Sequence, residues 1–371
     1  MKRYSIYILV ISCMLMFGIT SIHSQQVNTL YFLENAPMRH LINPAFQPVS
    51  NVYVTLPVIG YSSAWVGNNA FTMKDFIFTD KNGNTITPYH PNANPDWLAK
   101  KPKNTLIDAD AYINLFGLGV RIKDNGYFHL NISEHIIAGA ATGTNIFGIN
   151  QLDSGLIGPF NLGANALVYT DFALGYSHKI NDQWTVGGKF KFLVGQAYVN
   201  ANLDNISLAH SMEELHAYGN GNIVAAAPLQ WQNLPTDVTD LGNIDTEALA
   251  GTDYRDWITP AGLGAAFDLG ATYKPHEQVQ ISASVTDLGF IRWTNLAKGN
   301  LSIDTTFTGV ELNYGDYVYE GELNQDSLTA HLTNTLNGYA DALNISDIDN
   351  NAKPLTRMLT ANLHVGVDAN F

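Results

Sequence analysis

The stretch from Ala261 to Trp293 leaves few architectures open to this chain. Leu263, Ala265, Phe267, Leu269, Ala271 and Tyr273 form one face, and Gly264, Ala266, Asp268, Gly270, Thr272 and Lys274 form the other. An alternation of period two belongs to a strand, whose successive side chains point to opposite sides. After Pro275-His276-Glu277-Gln278 the pattern resumes, with Val279, Ile281, Ala283 and Val285 opposite Gln280, Ser282, Ser284 and Thr286. The spacing predicts an antiparallel hairpin. Its apolar side needs something oily to face, and its small, polar side suits a wet, roomy interior. A transmembrane β-barrel satisfies both demands.

Residues 164–200 repeat the design. Val168, Thr170, Phe172, Leu174 and Tyr176 share a face; after Asn181-Asp182-Gln183, so do Trp184, Val186, Phe190, Phe192, Val194 and Tyr198. Lys189 and Lys191 fall on the opposite side, among Thr185, Gly187 and Gly195. Unpaired in a dry core, each lysine would cost several kcal/mol, whereas a water-filled barrel accommodates both. The soluble counterpart is an amphipathic surface sheet with the lysines outside. Strand length separates the two readings: runs of about fifteen residues exceed the five or six usual in globular sheets and suit tilted, membrane-crossing strands.

Composition agrees with a barrel. Charged residues make up only 14% of the chain, well under the usual quarter. Yet no stretch after the N-terminus reaches eighteen consecutive apolar residues, which excludes a helical membrane protein. Alternating strands average out near zero, as does the mean hydropathy of -0.03. The formal net charge of -14 argues against a nucleic-acid partner. A length of 371 residues is large for one ordinary domain but fits one closed all-β sheet.

The N-terminus reads as an export signal: Lys2 and Arg3, an apolar run from Ile6 to Ile22, then Ser24, with cleavage expected after Ser24. A lipobox-like Val10-Ile11-Ser12-Cys13 competes, but Met14-Leu15-Met16-Phe17 keeps the run apolar where a lipoprotein turns polar. Cys13 is the one cysteine, so residues 25–371, the expected barrel domain, hold no disulfide. The destination implied is a Gram-negative outer membrane.

Between the strong hairpins the signals are weaker. Two prolines bracket Asn43-Pro44-Ala45-Phe46-Gln47-Pro48 and predict a fixed bend before a first strand at Val52–Ile59. Residues 71–104 read as a long loop whose Lys100, Lys101 and Lys103 could meet head-group phosphate. Tyr112, Phe116, Leu118 and Val120 are expected to share a face, with a turn at Lys123-Asp124-Asn125-Gly126 and a return strand carrying Phe128, Leu130, Ile132 and Ile136. The Gly-rich run 138–163 has little periodicity and leaves loop, short helix and lumen filling open. Residues 201–260, with Asp237, Asp240, Asp245, Glu247, Asp253 and Asp256, read as an acidic external loop. Leu328, Leu332, Leu336 and Tyr339 approximate a helical stripe, and Leu355 to Phe371 returns to strand form.

No catalytic constellation is legible: there is no His-x-x-x-His pair, no Gly-x-Ser-x-Gly elbow and no phosphate-binding loop. The expectation is a non-enzyme without metal or cofactor. The candidate functional residues are therefore lumen-lining: Lys189, Lys191, Asp268, Lys274, His129 and His135. His129 and His135 lie on one strand face with Asn131 and Ser133 between them, as polar lining rather than ligands.

Three places carry a resemblance: Tyr31-Phe32-Leu33-Glu34-Asn35 leading into Asn43 to Pro48, Phe267 to Pro275, and Ser284 to Trp293. In them the chain resembles a Bacteroidetes family of outer-membrane barrels of unknown function, similar in style to FadL-like fatty-acid transporters and to barrels associated with type IX secretion. The resemblance implies an outer-membrane barrel and carries over no site residue. It also implies further strands after Phe371, hence a barrel incomplete at its C-terminus; the competing reading makes Phe371 the terminal aromatic of a finished barrel.

The fold expected is all-β: a monomeric transmembrane antiparallel β-barrel of about 12–14 strands, with one or two short helices. The function expected is a FadL-like channel for hydrophobic or small solutes, or an anchor for a secretion or surface assembly, with outer-membrane lipid as its surroundings. The alternative is a secreted soluble β-protein that binds a surface glycan or a protein partner.

Overall fold

A computed structural model describes residues 30–31, 33, 36–57, 60–79, 83, 85–86, 95–151, 155–210, 215–227, 260–307, 318–319, 322–323 and 343–369. Thirteen strands form one antiparallel sheet. They are β1 (Val52–Thr55), β2 (Ser62–Asn68), β3 (Asn104–Ile122), β4 (Gly126–Gly143), β5 (Gly155–Lys179), β6 (Trp184–His210) and β7 (Leu215–Ala226). Then come β8 (Gly262–His276), β9 (Val279–Trp293), β10 (Leu296–Phe307), β11 (Leu343–Asp349), β12 (Leu355–Met358) and β13 (Asn362–Ala369). The main path runs β1-β3-β4-β5-β6-β8-β9-β12, with β2 also on β3 and β13 also on β9.

The sheet branches at β6. Its first half, Trp184 to Gly195, pairs with β8; its second half, Tyr198 to His210, pairs with β7. From β7 an arm continues through β10 to β11. The expected closure into a barrel is not observed among the described residues. β1 and β2 both use the same side of β3, β12 and β13 both use the same side of β9, and no ladder joins the two outer edges. Among the described residues the architecture is all-β and antiparallel, with its two outer edges unjoined.

Long strands follow from the alternation, and bulges explain where it fails. In the β8–β9 hairpin the register slips between Phe267 and Leu269, so that Asp268 faces two residues of β9. Asp287 there takes a positive φ of 60°, a conformation that Asp tolerates better than most residues. A bulge in β3 between Asn114 and Phe116 likewise turns Tyr112 inward, away from the face of Phe116, Leu118 and Val120 that sequence assigned to it.

Other segments differ from expectation too. Within the run 138–163, residues 138–143 end β4, Thr144–Gln151 is a 3-10 helix and 155–163 begin β5; the Ala, Gly and Thr of 138–143 leave no hydrophobic contrast to read. Residues 201–210 and 215–226 are strand rather than loop, while Asp237 to Asp256 lie outside the described residues. The helical stripe from Leu328 to Tyr339 also lies outside them. Within 71–104 a helical turn, Met73–Phe76, is closed by a capping box between Thr72 and Asp75. The C-terminal strand is broken at Leu359–Ala361 into β12 and β13. Among the described residues no helix is long and apolar enough to cross a membrane.

On its inward face the sheet packs against the chain's own N-terminal segment, Leu30, Tyr31 and residues 36–50. Leu30, Tyr31, Met38, Ile42 and Phe46 form a buried cluster with Tyr53 of β1 and Tyr127 of β4. Tyr31 bonds Ser282 of β9 (3.0 Å), Ser284 donates to the Ile42 carbonyl (2.6 Å), and Asn43 Nδ2 donates to the carbonyls of Ala271 and Ala283 (3.3 and 3.2 Å). A second cluster, centred on Trp293, Leu193, Ile291 and Tyr169, fills the inner face farther from the short turns. A third, with Phe160, Leu203, Ile206 and Leu301, supports the arm.

Candidate functional site

The inward face of β6, β8 and β9 gathers four charges. Lys189 and Asp268 are register partners across the β6–β8 ladder, with Lys189 Nζ 3.6 Å from Asp268 Oδ2. Lys191 Nζ lies 3.0 Å from the same oxygen and 2.5 Å from Asp287 Oδ1. The β9 bulge makes this possible: Asp287 N–H donates to Asp268 Oδ1 (2.8 Å), which aims the Asp287 carboxylate at Lys191. The side chains of Lys189, Lys191 and Asp268 are 1%, 8% and 0% exposed. Both lysines are buried and paired by carboxylates, whereas their isolation on β6 alone suggests a wet, roomy interior. Small neighbours on β6 made room for ion partners from other strands.

Lys189 also donates to the His40 carbonyl (3.1 Å), tying the ion cluster to the N-terminal segment. His40 Nε2 bonds the Tyr53 hydroxyl (2.8 Å), and its ring stacks on His129 with centroids 4.5 Å apart. His129 is buried beside the Pro44 backbone. Rings stacked face to face cannot direct lone pairs at one ion. Among the described residues no group of three or more His, Cys, Asp or Glu is arranged to hold a metal.

Farther along β4, His135 is held separately. Its Nε2 is 3.2 Å from Asp171 Oδ2, its ring lies parallel to Tyr169 at 4.5 Å, and Tyr112 meets it edge-on at 5.2 Å. Tyr112 in turn bonds Ser133 (2.7 Å) and accepts from Asn131 (3.2 Å). Of the six residues singled out from sequence, Lys189, Lys191 and Asp268 come together, His129 borders them through His40, and His135 belongs to the neighbouring network. Lys274 is exposed at the hairpin end, where its backbone N–H donates to Gln183 O (2.8 Å).

Sequence reasoning missed Asp287, Asp171, His40 and Asn43. Asp287 left a trace: outward residues run Ile281, Ala283 and then Leu288, Phe290, a slip of one position that marks a bulge. The lysine cluster at 100–103 is partly committed elsewhere. Lys101 Nζ lies 2.6 Å from Asp75 and over the Phe71 ring. Asp75 is held down to about 2 by that Lys101 hydrogen bond and by the Thr72 N–H and hydroxyl.

The outward face is the converse of the ionic one. Phe190, Phe192, Phe267, Leu269 and Phe290 are each 43–62% exposed, and Leu363, Val365 and Val367 of β13 are 60–67% exposed. At the short-turn end Trp184 stacks on Tyr273 at 4.5 Å. At the other end the band meets a polar row, in which Thr170 donates to Glu134 (2.7 Å) and Gln196 donates to Thr170 (2.7 Å).

No curated protein and no solved structure matches the chain. A family model does, over residues 44–371, beginning at the Pro44 that packs against the inner face of β6. By that match, which covers most of its length, the chain belongs to the family of unknown function DUF5723.

Proposed function

We propose that this chain is an exported outer-membrane β-protein, stoppered by its segment 36–50, that serves as a membrane anchor for a surface or secretion assembly. The observation that carries the reading is the division of β6, β8 and β9 into an exposed aromatic and aliphatic face and a buried ionic one. A soluble sandwich hides its apolar faces against each other; here they point outward.

The dimensions agree with a bilayer. From Trp184 to Gln196 is twelve steps along β6, roughly 40 Å of strand at about 3.3 Å per residue. Tilted by about 40°, that is about 30 Å, close to the apolar band of about 25 Å on such proteins. An interior filled by the chain's own segment and by paired ions favours an anchor over an open solute channel.

The test is fractionation of native membranes, a heat-shift gel and planar-bilayer recording on the purified protein. The expected result is outer-membrane recovery, faster migration unheated, and no steady pore current. Recovery in the soluble fraction would overturn the membrane reading. Steady current from the untreated protein would overturn the anchor in favour of a channel.

A further inference from the structure

The outward positions of β6 read Trp184, Val186, Gly188, Phe190, Phe192 and Val194. Five are bulky and one has no side chain. Gly188 pairs with Tyr176 of β5 on one side and Leu269 of β8 on the other, so the gap is one residue wide in the row Tyr176-Gly188-Leu269. The next row toward the aromatic bodies, Leu174-Phe190-Phe267, closes it above. The row toward the turns, His178-Val186-Ala271, leaves it open over the small Ala271. The result is a shallow groove of about 450 Å³ lined by Tyr176, His178, Val186 and Leu269, with the backbone of Gly187, Gly188 and Gly270.

Nothing in the packing demands glycine at its floor. A Cβ on Gly188 would lie 3.6 Å from Leu269 Cδ2 and 3.8 Å from the Asp268 carbonyl, both ordinary contacts, and its φ is not in the left-handed range. Gly187 beside it is different, because a Cβ there would collide with the Pro44 carbonyl inside. The Tyr176 hydroxyl is drawn aside over Gly126, where it bonds His178 Nδ1 at 3.3 Å. The groove therefore has apolar walls and one polar end, and that end lies toward the Trp184–Tyr273 stack, at the level where such rings mark the head groups.

We propose that this groove binds one acyl chain of a bilayer phospholipid, with the ester and phosphate oxygens at Tyr176 and His178. The proposal rests on the membrane reading above. A slender chain without hydrogen-bonding groups fits a gap one side chain wide. A second protein copy does not, since a stable interface buries roughly 800 Å² per partner.

The experiment uses the full chain in phosphatidylethanolamine and phosphatidylglycerol vesicles containing a phospholipid with a photoactivatable diazirine in its acyl chain. Labelled residues are mapped by peptide mass spectrometry, and each variant is first checked for the heat-shifted folded band. Label is expected to concentrate on Tyr176, Val186 and Leu269, and to fall about tenfold in Gly188→Leu. Ala265→Leu, on the same wall but two rows away, is expected to leave it unchanged. Even labelling of all outward residues, unaffected by Gly188→Leu, would overturn the groove and leave the membrane reading standing. So would a cross-linked dimer through Tyr176 or Leu269 that Gly188→Leu abolishes. Absence of label from every outward residue would instead remove the membrane reading, and the groove with it.

Discussion

Neutralising Asp268 isolates what the buried ions contribute. In Asp268→Asn the side chain keeps an Oδ1 that can accept from the Asp287 N–H, so the bulge survives and only the charge is lost. Lys191 retains Asp287 at 2.5 Å. Among the described residues Lys189 has no second carboxylate within ion-pair distance, and it is left with the His40 carbonyl, at 1% side-chain exposure. Leaving one member of a buried pair uncompensated costs about 3–5 kcal/mol. Lys189→Met removes the other member instead, and Asp268 keeps Lys191 at 3.0 Å, so this change is expected within about 1 kcal/mol of the parent. The double variant Lys189→Met/Asp268→Asn restores most of the loss, which gives a coupling of about 2 kcal/mol or more between the two positions.

The assay is equilibrium urea unfolding of protein refolded into lipid vesicles, followed by tryptophan fluorescence and scored in parallel by the heat-shift gel. The ordering is diagnostic, because a solvated lysine would not distinguish the two single changes. A cost below about 1 kcal/mol for Asp268→Asn, equal to that of Lys189→Met, would refute the dry, paired interior and reinstate a water-filled one.

Three further outcomes test other parts of the structure. Gly187→Val drives a side chain into Pro44 and is expected to unseat the N-terminal segment, raising trypsin cleavage at buried Arg39 about tenfold for each ~1.4 kcal/mol of opening; Gly188→Ala is the neutral control, and wild-type cleavage of Gly187→Val would refute the seating. Phe190→Arg, on the exposed band, is expected to cost about 2–4 kcal/mol in vesicles, whereas a surface position of a soluble sheet would lose under about 0.5 kcal/mol; the same unfolding assay decides. Because the Asp75 carboxyl is lowered to about 2 when folded, its link to Lys101 is fully present above the ordinary carboxylate value near about 4 and is lost as pH falls through about 2. A carbon-13 titration of Asp75 with its midpoint near the ordinary value would contradict that link.

The hairpins β5–β6 and β8–β9 were legible because their outward residues are large and their inward ones small, a contrast that period-two reading detects directly. Where small residues occupy both faces, as with the Ala, Gly and Thr of 138–143, or face one another with Asn, as in Gly219 to Asn222, the same geometry leaves little contrast to read. Bulges are subtler. Tyr112 and Asp287 change sides through a one-residue slip, and a strict alternation places every residue beyond it on the wrong face.

The small-residue face carries a less specific signal. Gly187 and Gly270 read as room for water, yet a Cβ on Gly187 would meet Pro44 and one on Gly270 would meet Asn43. Small residues declare that something approaches closely; they do not declare what. Here the occupant is a segment of the same chain, with His40 149 residues from its partner Lys189 on β6, whose only local signal was a pair of prolines around a short apolar piece. The lysines follow the same logic. A strand read alone shows Lys189 and Lys191 without partners, because Asp268 and Asp287 arrive from other strands through pairings that periodicity does not specify. An inward lysine on an isolated strand therefore supports two interiors equally, one wet and one ion-paired. Only the identity of the neighbouring strand, and the bulge that turns Asp287 toward it, decides between them.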